Sequence, residues 1–387
     1  MSSLKLNDRG ERIIYLFKRS LYKRLSFYIV IACVAIASII FVDHNDALYE
    51  RTIAQVIDTE LEDVTDITDA YHNEDQLFTQ HITAEITNGV LKGERIHLVN
   101  EYSASGAYDQ PYQAGHKVFV SIDQDERENT VLTGDITGVK RDKYIVIVTW
   151  IFMVTLLFVG KKQGLLAGLS LAINIILLSF ALDIYVNTNI NLLWICGLAV
   201  VLFTVLSLLL VNGCNEKTYA AIIATLLGTF ASLFITYLVM WITSENGLHY
   251  EEMQFLTRPY KLVFLAGLFI GSLGAVMDVA ISISAALFEL YQKDHNISIQ
   301  ALKTAGFDIG KDIMGTMANI LFFAYISGSI PMLILYFKNY SPLGFTLSIN
   351  LSLELARALA GGIGIVITIP IGLYASIFFI KRKRVKS

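Results

Sequence analysis

An aspartate inside an apolar run is the first chemistry this sequence offers. Residues 262–290 carry Asp278, and an ionisable group at membrane depth is costly enough to mark a functional site by default. Gly271, Gly274, Asp278, Ser282, Ala285 and Glu289 recur in steps of three and four, which sets them along one side of a helix. Glu289 falls near the end of the run, where a solvated carboxylate costs little, so Asp278 alone needs explaining by depth. The next run repeats the device. Asp308, Asp312, Gly315 or Thr316, and Asn319 share a face, with Lys311 beside them. The last run opens with Glu354 and Arg357, one turn apart and able to pair, followed by Gly361, Gly362, Gly364 and Thr368. A lone carboxylate beside small residues suits the binding or passing on of a proton or cation. Asp312, Asn319, Thr316 and Arg357 would line or tune that site, with Asp308, Glu354, Ser282 and Glu289 as further candidates.

Each feature also has a plainer use. Asp308 and Asp312 lie at an expected helix start, where carboxylates cap free N–H groups and meet the positive end of the helix dipole. Gly271, Gly274, Gly315, Gly361 and Gly364 let helices approach closely. Ladders of small residues at 164/168/172, 224/228/232 and 356/360/364 read the same way. Arg357 is expected to be held by Glu354 or another acid.

Eight runs are long and apolar enough to hold such groups at depth: 27–42, 144–159, 164–182, 192–211, 219–242, 262–290, 313–337 and 353–380. A bilayer crossing takes about 20 residues, so the first two are short. The 387-residue chain is 54% hydrophobic and 17% charged, against about 45–50% and 25% in soluble domains, which argues against a soluble enzyme. Lys and Arg accumulate in alternate connections: residues 1–26, Lys161 and Lys162, Lys217, Lys293 with Lys303 and Lys311, and the tail 381–387. The other short connections hold only Arg258, Lys261 and Lys338. By the positive-inside rule both termini are cytoplasmic in a plasma-membrane protein, and 43–143 is extracytoplasmic. The first run reads as an uncleaved signal anchor.

The net charge of −4 is a difference between two unlike parts. Residues 43–143 hold 21 of the 34 acids and 8 of the 30 bases, a net of −13, which leaves +9 for the rest. Strand alternation appears in 82–86, 95–99 and 117–122, with an Asn88–Gly89 turn. A small β-barrel or sandwich, at best OB-like, is expected there, with the acidic stretch 58–75 as a loop. The expected fold is thus an α-helical bundle of about eight spans with a β-rich exported domain between spans 1 and 2. The parts run 1–26, 27–42, 43–143, 144–380 and 381–387.

Several activities find no motif. There is no phosphate-binding Gly-Lys-Ser/Thr loop and no HExxH. The run 123–128 lacks the spacing of a calcium loop, and the cysteines Cys33, Cys196 and Cys214 form no metal set. No cofactor, no metal and no nucleic-acid partner is expected. Intramembrane aspartyl hydrolysis would need two carboxylates at one depth, so an enzyme is not expected.

The stretches 265–284 and 306–319 (GFDIGKDIMGTMAN), with Ala324-Tyr325 and Gly328, resemble the YibE/F-like family of bacterial membrane proteins. Gly160–Gly164, Asn212–Lys217, Gly361–Gly364 and Pro370 fit the same pattern, and together they cover about 144–380. An N-terminal anchor with an exported domain is similar to the larger, YibE-type members. The resemblance implies a permease-like multi-pass protein that works beside a smaller YibF-type relative. The exported domain would then recruit an envelope partner. The alternative is a non-transporting sensor or assembly partner whose exported domain carries recognition.

Overall fold

A computed structural model describes residues 26, 29–106, 108–123, 132–253 and 259–386. The basic segment 1–25, Phe27 and Tyr28 at the expected start of the first span, residues 124–128 of the acidic run, Arg258 and Ser387 lie outside them. The chain divides into two compact units, 1–155 and 156–387.

The first unit is built around a closed five-stranded barrel: β1 (Ile53–Thr68), β2 (Glu74–Ile86), β3 (Arg95–Ser103), β4 (Lys117–Ile122) and β5 (Leu132–Val139), in the order β1-β2-β3-β5-β4. All pairings are antiparallel except β3 with β5. Closure selects the barrel over the sandwich, because among the described residues no strand is left to start a second sheet. In β3, Ile96, Leu98 and Asn100 are buried while Arg95, His97, Val99 and Glu101 are exposed, the two-residue period of a sheet with one face on a core. Val56, Ile82, Ile86, Tyr112, Val118 and Val120 complete that core. Asn88 is buried at the β2 exit. Its amide nitrogen donates to the carbonyls of Asp46, Tyr49 and Arg51, and its oxygen accepts from Ile53 N at 2.7 Å.

The expected loop at 58–75 is instead the far part of the β1–β2 hairpin. Pairing runs from Ala54↔Ile86 out to Thr68↔Glu74. Beyond Val56 the β1 side chains are almost all exposed on both faces, so no apolar alternation marks the strand; backbone pairing carries it, with the cross-strand contacts Gln76–Asp66 and His81–Glu62. The Asp69 carboxylate closes the turn by accepting from Tyr71 N and Asn73 N at 2.8 and 2.9 Å.

Two helices flank the barrel in this unit, α1 (Ile29–Asp43) and the first part of α2 (Asp142–Asn187). Trp150 Nε1 donates to Ser38 Oγ between them at 2.6 Å. At their barrel ends Asp46 is gripped by Lys117 (2.6 Å) and Lys140 (3.0 Å), and Lys140 also reaches Asp142 (3.4 Å) and the Val42 carbonyl (2.7 Å).

The second unit is helical: the rest of α2, α3 (Leu192–Asn212), α4 (Glu216–Ile242), α5 (Tyr260–Lys293), α6 (Ile299–Ser327), α7 (Ile330–Lys338), α8 (Leu343–Ile349) and α9 (Ser352–Lys386). Among the described residues five helices are long and apolar enough to cross a membrane, and six if α6 and α7, bent by 61°, count as one. The expected second and third runs share α2, but that helix breaks at Lys161, whose φ of 48° and ψ of −120° are not helical. Next to the break, Gly164 lies so close to the Leu156 carbonyl that no Cβ fits. The first run, α1, is shorter than a full crossing within the described residues.

Helix α5 is central and packs against α3, α4, α6 and α9. Val279, Ile283 and Leu287 meet Leu302 and Leu321 of α6 and Ile365, Ile369 and Leu373 of α9. The 228 and 364 positions are close-approach points. Gly228 abuts Thr368 and Val276, and Gly364 lies against Val276 and Ser232. Buried hydroxyls join the seams: Ser232 donates to the Ala360 carbonyl at 2.6 Å and Ser376 to Ser284 at 3.1 Å.

Candidate functional site: the open face of α5 and α6

Helix α5 buries Ser272, Val276, Val279, Ile283 and Leu287, and its other side stays open. Gly271, Gly274, Asp278 and Glu289 are exposed there, with Ser282 and Ala285 half-buried. From Gly274 to Glu289 the polar stripe is therefore a strip of α5 that the described residues leave largely uncovered. Asp278 sits 12 residues before Leu290, about 18 Å along the helix, and has no hydrogen bond or ion pair among the described residues. Glu289 pairs with Lys293 at 2.9 Å on the exposed surface.

Helix α6 shows the same arrangement. Asp308, Asp312, Gly315, Thr316 and Asn319 are all exposed. Asp308 meets Lys311 at 3.3 Å, and Thr316 donates back to the Ile313 carbonyl at 2.9 Å. Asp312 and Asn319 have no side-chain partner among the described residues. The capping role expected for Asp308 and Asp312 does not hold, because α6 begins at Ile299 and its cap is Ser298, which accepts from Ala301 N at 3.0 Å. Both aspartates lie two or more turns inside the helix, where the free N–H groups of the first turn are out of reach.

Two contacts set the register between these antiparallel helices. Gly271 faces Tyr325 and Leu287 faces Gly306. Between those fixed points Asp278 comes level with Thr316–Asn319, and Ser282 with Asp312. The two stripes thus run on neighbouring helices with polar groups at matched heights. Gly274 and Gly315 have open space where a Cβ would be, whereas Gly361 is closed off by Leu321.

At one end of this face stands a group that spacing alone does not single out. The Tyr325 hydroxyl fills the notch at Gly271 and is buried without a hydrogen-bond partner. Arg357 bonds Glu354 at 3.0 Å, lays its guanidinium 5.3 Å from the Phe264 ring centre, and leaves Nε buried and unpaired. Glu354 and Arg357 thus form a half-buried pair against Phe264 of α5. Tyr250 adds a further buried hydroxyl, its ring 5.8 Å from Phe264. Only the lone tyrosine in the Ala-Tyr pair after α6's glycines could have flagged Tyr325 in the sequence.

Among the described residues no three His, Cys, Asp or Glu side chains converge as metal ligands. The arrangement can hold or relay a proton or a monovalent cation at Asp278, or bury that carboxylate against another helix.

Residues 148–382 match a family model described as YibE/F-like protein, and residues 47–139 match one described as the YibE/F family N-terminal domain. Neither a curated protein nor a solved structure matches the chain.

Proposed function

This chain belongs to the YibE/F-like family, and we propose that it is a permease-like or export-associated membrane protein coupled to protons or cations through Asp278. One observation carries the reading: a carboxylate midway along a 34-residue apolar helix lies on a face that the described residues leave open. Insertion scales put an aspartate at the centre of a lipid-facing helix at about 2.5–3.5 kcal/mol. Such a cost is avoided when the face lines a water-filled path or meets another protein helix. In this reading Asp312, Thr316 and Asn319 line the path, and a smaller family member without the exported domain supplies the opposite wall.

The proposed topology has eight crossings: α1, the two legs of α2, α3, α4, α5, the bent α6–α7 pair and α9. Both termini are cytoplasmic in the plasma membrane and 43–143 is outside. No bond-making step is assigned to the chain.

Reconstituted vesicles with a pH dye inside test the coupling. Wild-type protein, with its smaller relative where one is required, should carry a proton or cation flux. Asp278→Asn should abolish it while the protein still inserts, and Asp278→Glu should retain part of it. Equal flux through wild type and Asp278→Asn removes the proposal.

A sensing or assembly role is the second reading, favoured by the lysine contacts that tie the barrel to its two flanking helices: Lys117 and Lys140 to α1 carbonyls, and Lys140 to Asp142 of α2. Deleting 43–143 would then abolish function, and Asp278 variants would change only stability.

A further inference from the structure

We propose that the cleft beneath the barrel binds the headgroup of an anionic phospholipid. The cleft has a volume of about 1450 Å³ and lies wholly within the first unit, between the strand ends and the first turns of α2. It is larger than the 300–1,000 Å³ typical of small-molecule pockets. One wall is apolar: Tyr144, Ile145 and Val148 of α2 line it and are 60%, 63% and 65% exposed.

The other wall is polar, and its charges point to the ligand. Of the eight bases in the acidic block 43–143, five line this cleft: Lys92, Lys117, Lys140, Arg141 and Lys143. The carboxylates of Asp43, Asp46 and Asp142 are occupied by Lys143, Lys117 and Lys140. Lys92 and Arg141 make no ion pair among the described residues, and Glu85 is the single lining acid left to oppose them. A local surplus of base inside a block of net −13 needs a reason. The positive-inside rule makes the outer end of a span the place where bases are fewest. A phosphodiester supplies the reason, since a guanidinium fork and an ammonium are the side chains that hold phosphate oxygens.

The apolar wall chooses between sources of that phosphate. Inorganic phosphate would fill a small part of the cleft and leave Ile145 and Val148 in water. A phospholipid would lay its acyl chains along them, in continuity with the rest of the helix. The inference rests on α1 and the first leg of α2 lying in a bilayer, and not on any role for Asp278.

Native mass spectrometry of the delipidated full-length protein in neutral detergent tests it, with short-chain phosphatidylglycerol, phosphatidylcholine and inorganic phosphate as probes. One phosphatidylglycerol should bind saturably. Its affinity should fall at least tenfold in Lys92→Gln/Arg141→Gln and return with Lys92→Arg/Arg141→Lys. Equal affinity for phosphatidylcholine, or no change in the double variant, overturns the proposal, and phosphate binding as tightly as the lipid overturns the lipid source. If the double variant fails to fold, Val148→Asn reads the apolar wall alone, and undiminished binding there is equally fatal. Membrane insertion is measured separately on the same proteins, so a failure of the bilayer placement is distinguishable from a failure of the site.

Discussion

The hydroxyl of Tyr325 on α6 occupies the space that a side chain at Gly271 of α5 would need. Gly274, one turn further along the same stripe, has nothing within 4 Å of its missing Cβ. Gly271→Leu must therefore push Tyr325 aside and part the two helices, an overpacking cost of about 1–3 kcal/mol. Gly274→Leu should leave the stability of the isolated chain nearly unchanged. Thermal unfolding in detergent compares the two. If the Gly274 face meets a partner helix, its variant keeps the stability but loses partner capture, and that separates a packing glycine from an interface glycine.

The barrel should come loose from its helices in acid. Burial pushes the Asp46 carboxyl up, but bonds from Lys117 and Lys140 outweigh it and hold the value below the ordinary 3.8. A carboxyl lowered on folding contributes stability that is present above its unfolded value and lost as pH falls through the folded one. Unfolding midpoints should therefore be flat from pH 6 to pH 4 and drop below pH 3.8, with the drop reduced in Asp46→Asn. Lys140 has a side chain only 3% exposed, so Lys140→Met leaves the buried Asp46 carboxylate with Lys117 alone and should cost about 3 kcal/mol at neutral pH. An unchanged midpoint in Lys140→Met would show the latch to be ornamental.

Adjacent residues of β3 should respond oppositely. Leu98 is 1% exposed in the barrel core and Val99 is 53% exposed on its outside. Leu98→Ala should cost about 2–5 kcal/mol, transfer and cavity terms together. Val99→Ala should stay within about 0.5 kcal/mol, the usual range at the surface. Denaturant titration of the full chain, followed by tyrosine signals of the barrel, measures both.

The break at Lys161 decides how many times the chain crosses. With eight spans, reporters fused after Gln163 and after Ser387 are active on the cytoplasmic side, and one after Asn187 is active outside. If α2 crossed once, a fusion after Asn187 would report the cytoplasm.

Reading by residue type reached some features and not others. The strands at 82–86, 95–99 and 117–122 were legible because one face of each is buried, and burial leaves a two-residue alternation in the side chains. The outer half of the β1–β2 hairpin has no buried face, so nothing in its composition separates it from a loop. The start of α6 was missed for a related reason: residues 299–312 mix apolar with polar and charged side chains, so the expected span begins only at 313, and Asp308 and Asp312 drew the boundary toward themselves. Tyr325 over Gly271 joins residues 54 positions apart, a distance no local period spans.

Local order alone determined the apolar runs, the division into an acidic block and a basic membrane part, and the alignment of Gly271, Gly274, Asp278 and Ser282 on one side of a helix. Each follows from composition or from the fixed rotation per residue, which needs no knowledge of neighbours. The tertiary structure decided what that side faces. Apolar side chains at 279, 283 and 287 bind α5 to α6 and α9, and Val276 meets α4 and α9; this turns the Asp278 stripe outward. Periodicity specifies which residues share a face, but only long-range packing specifies which face is left uncovered.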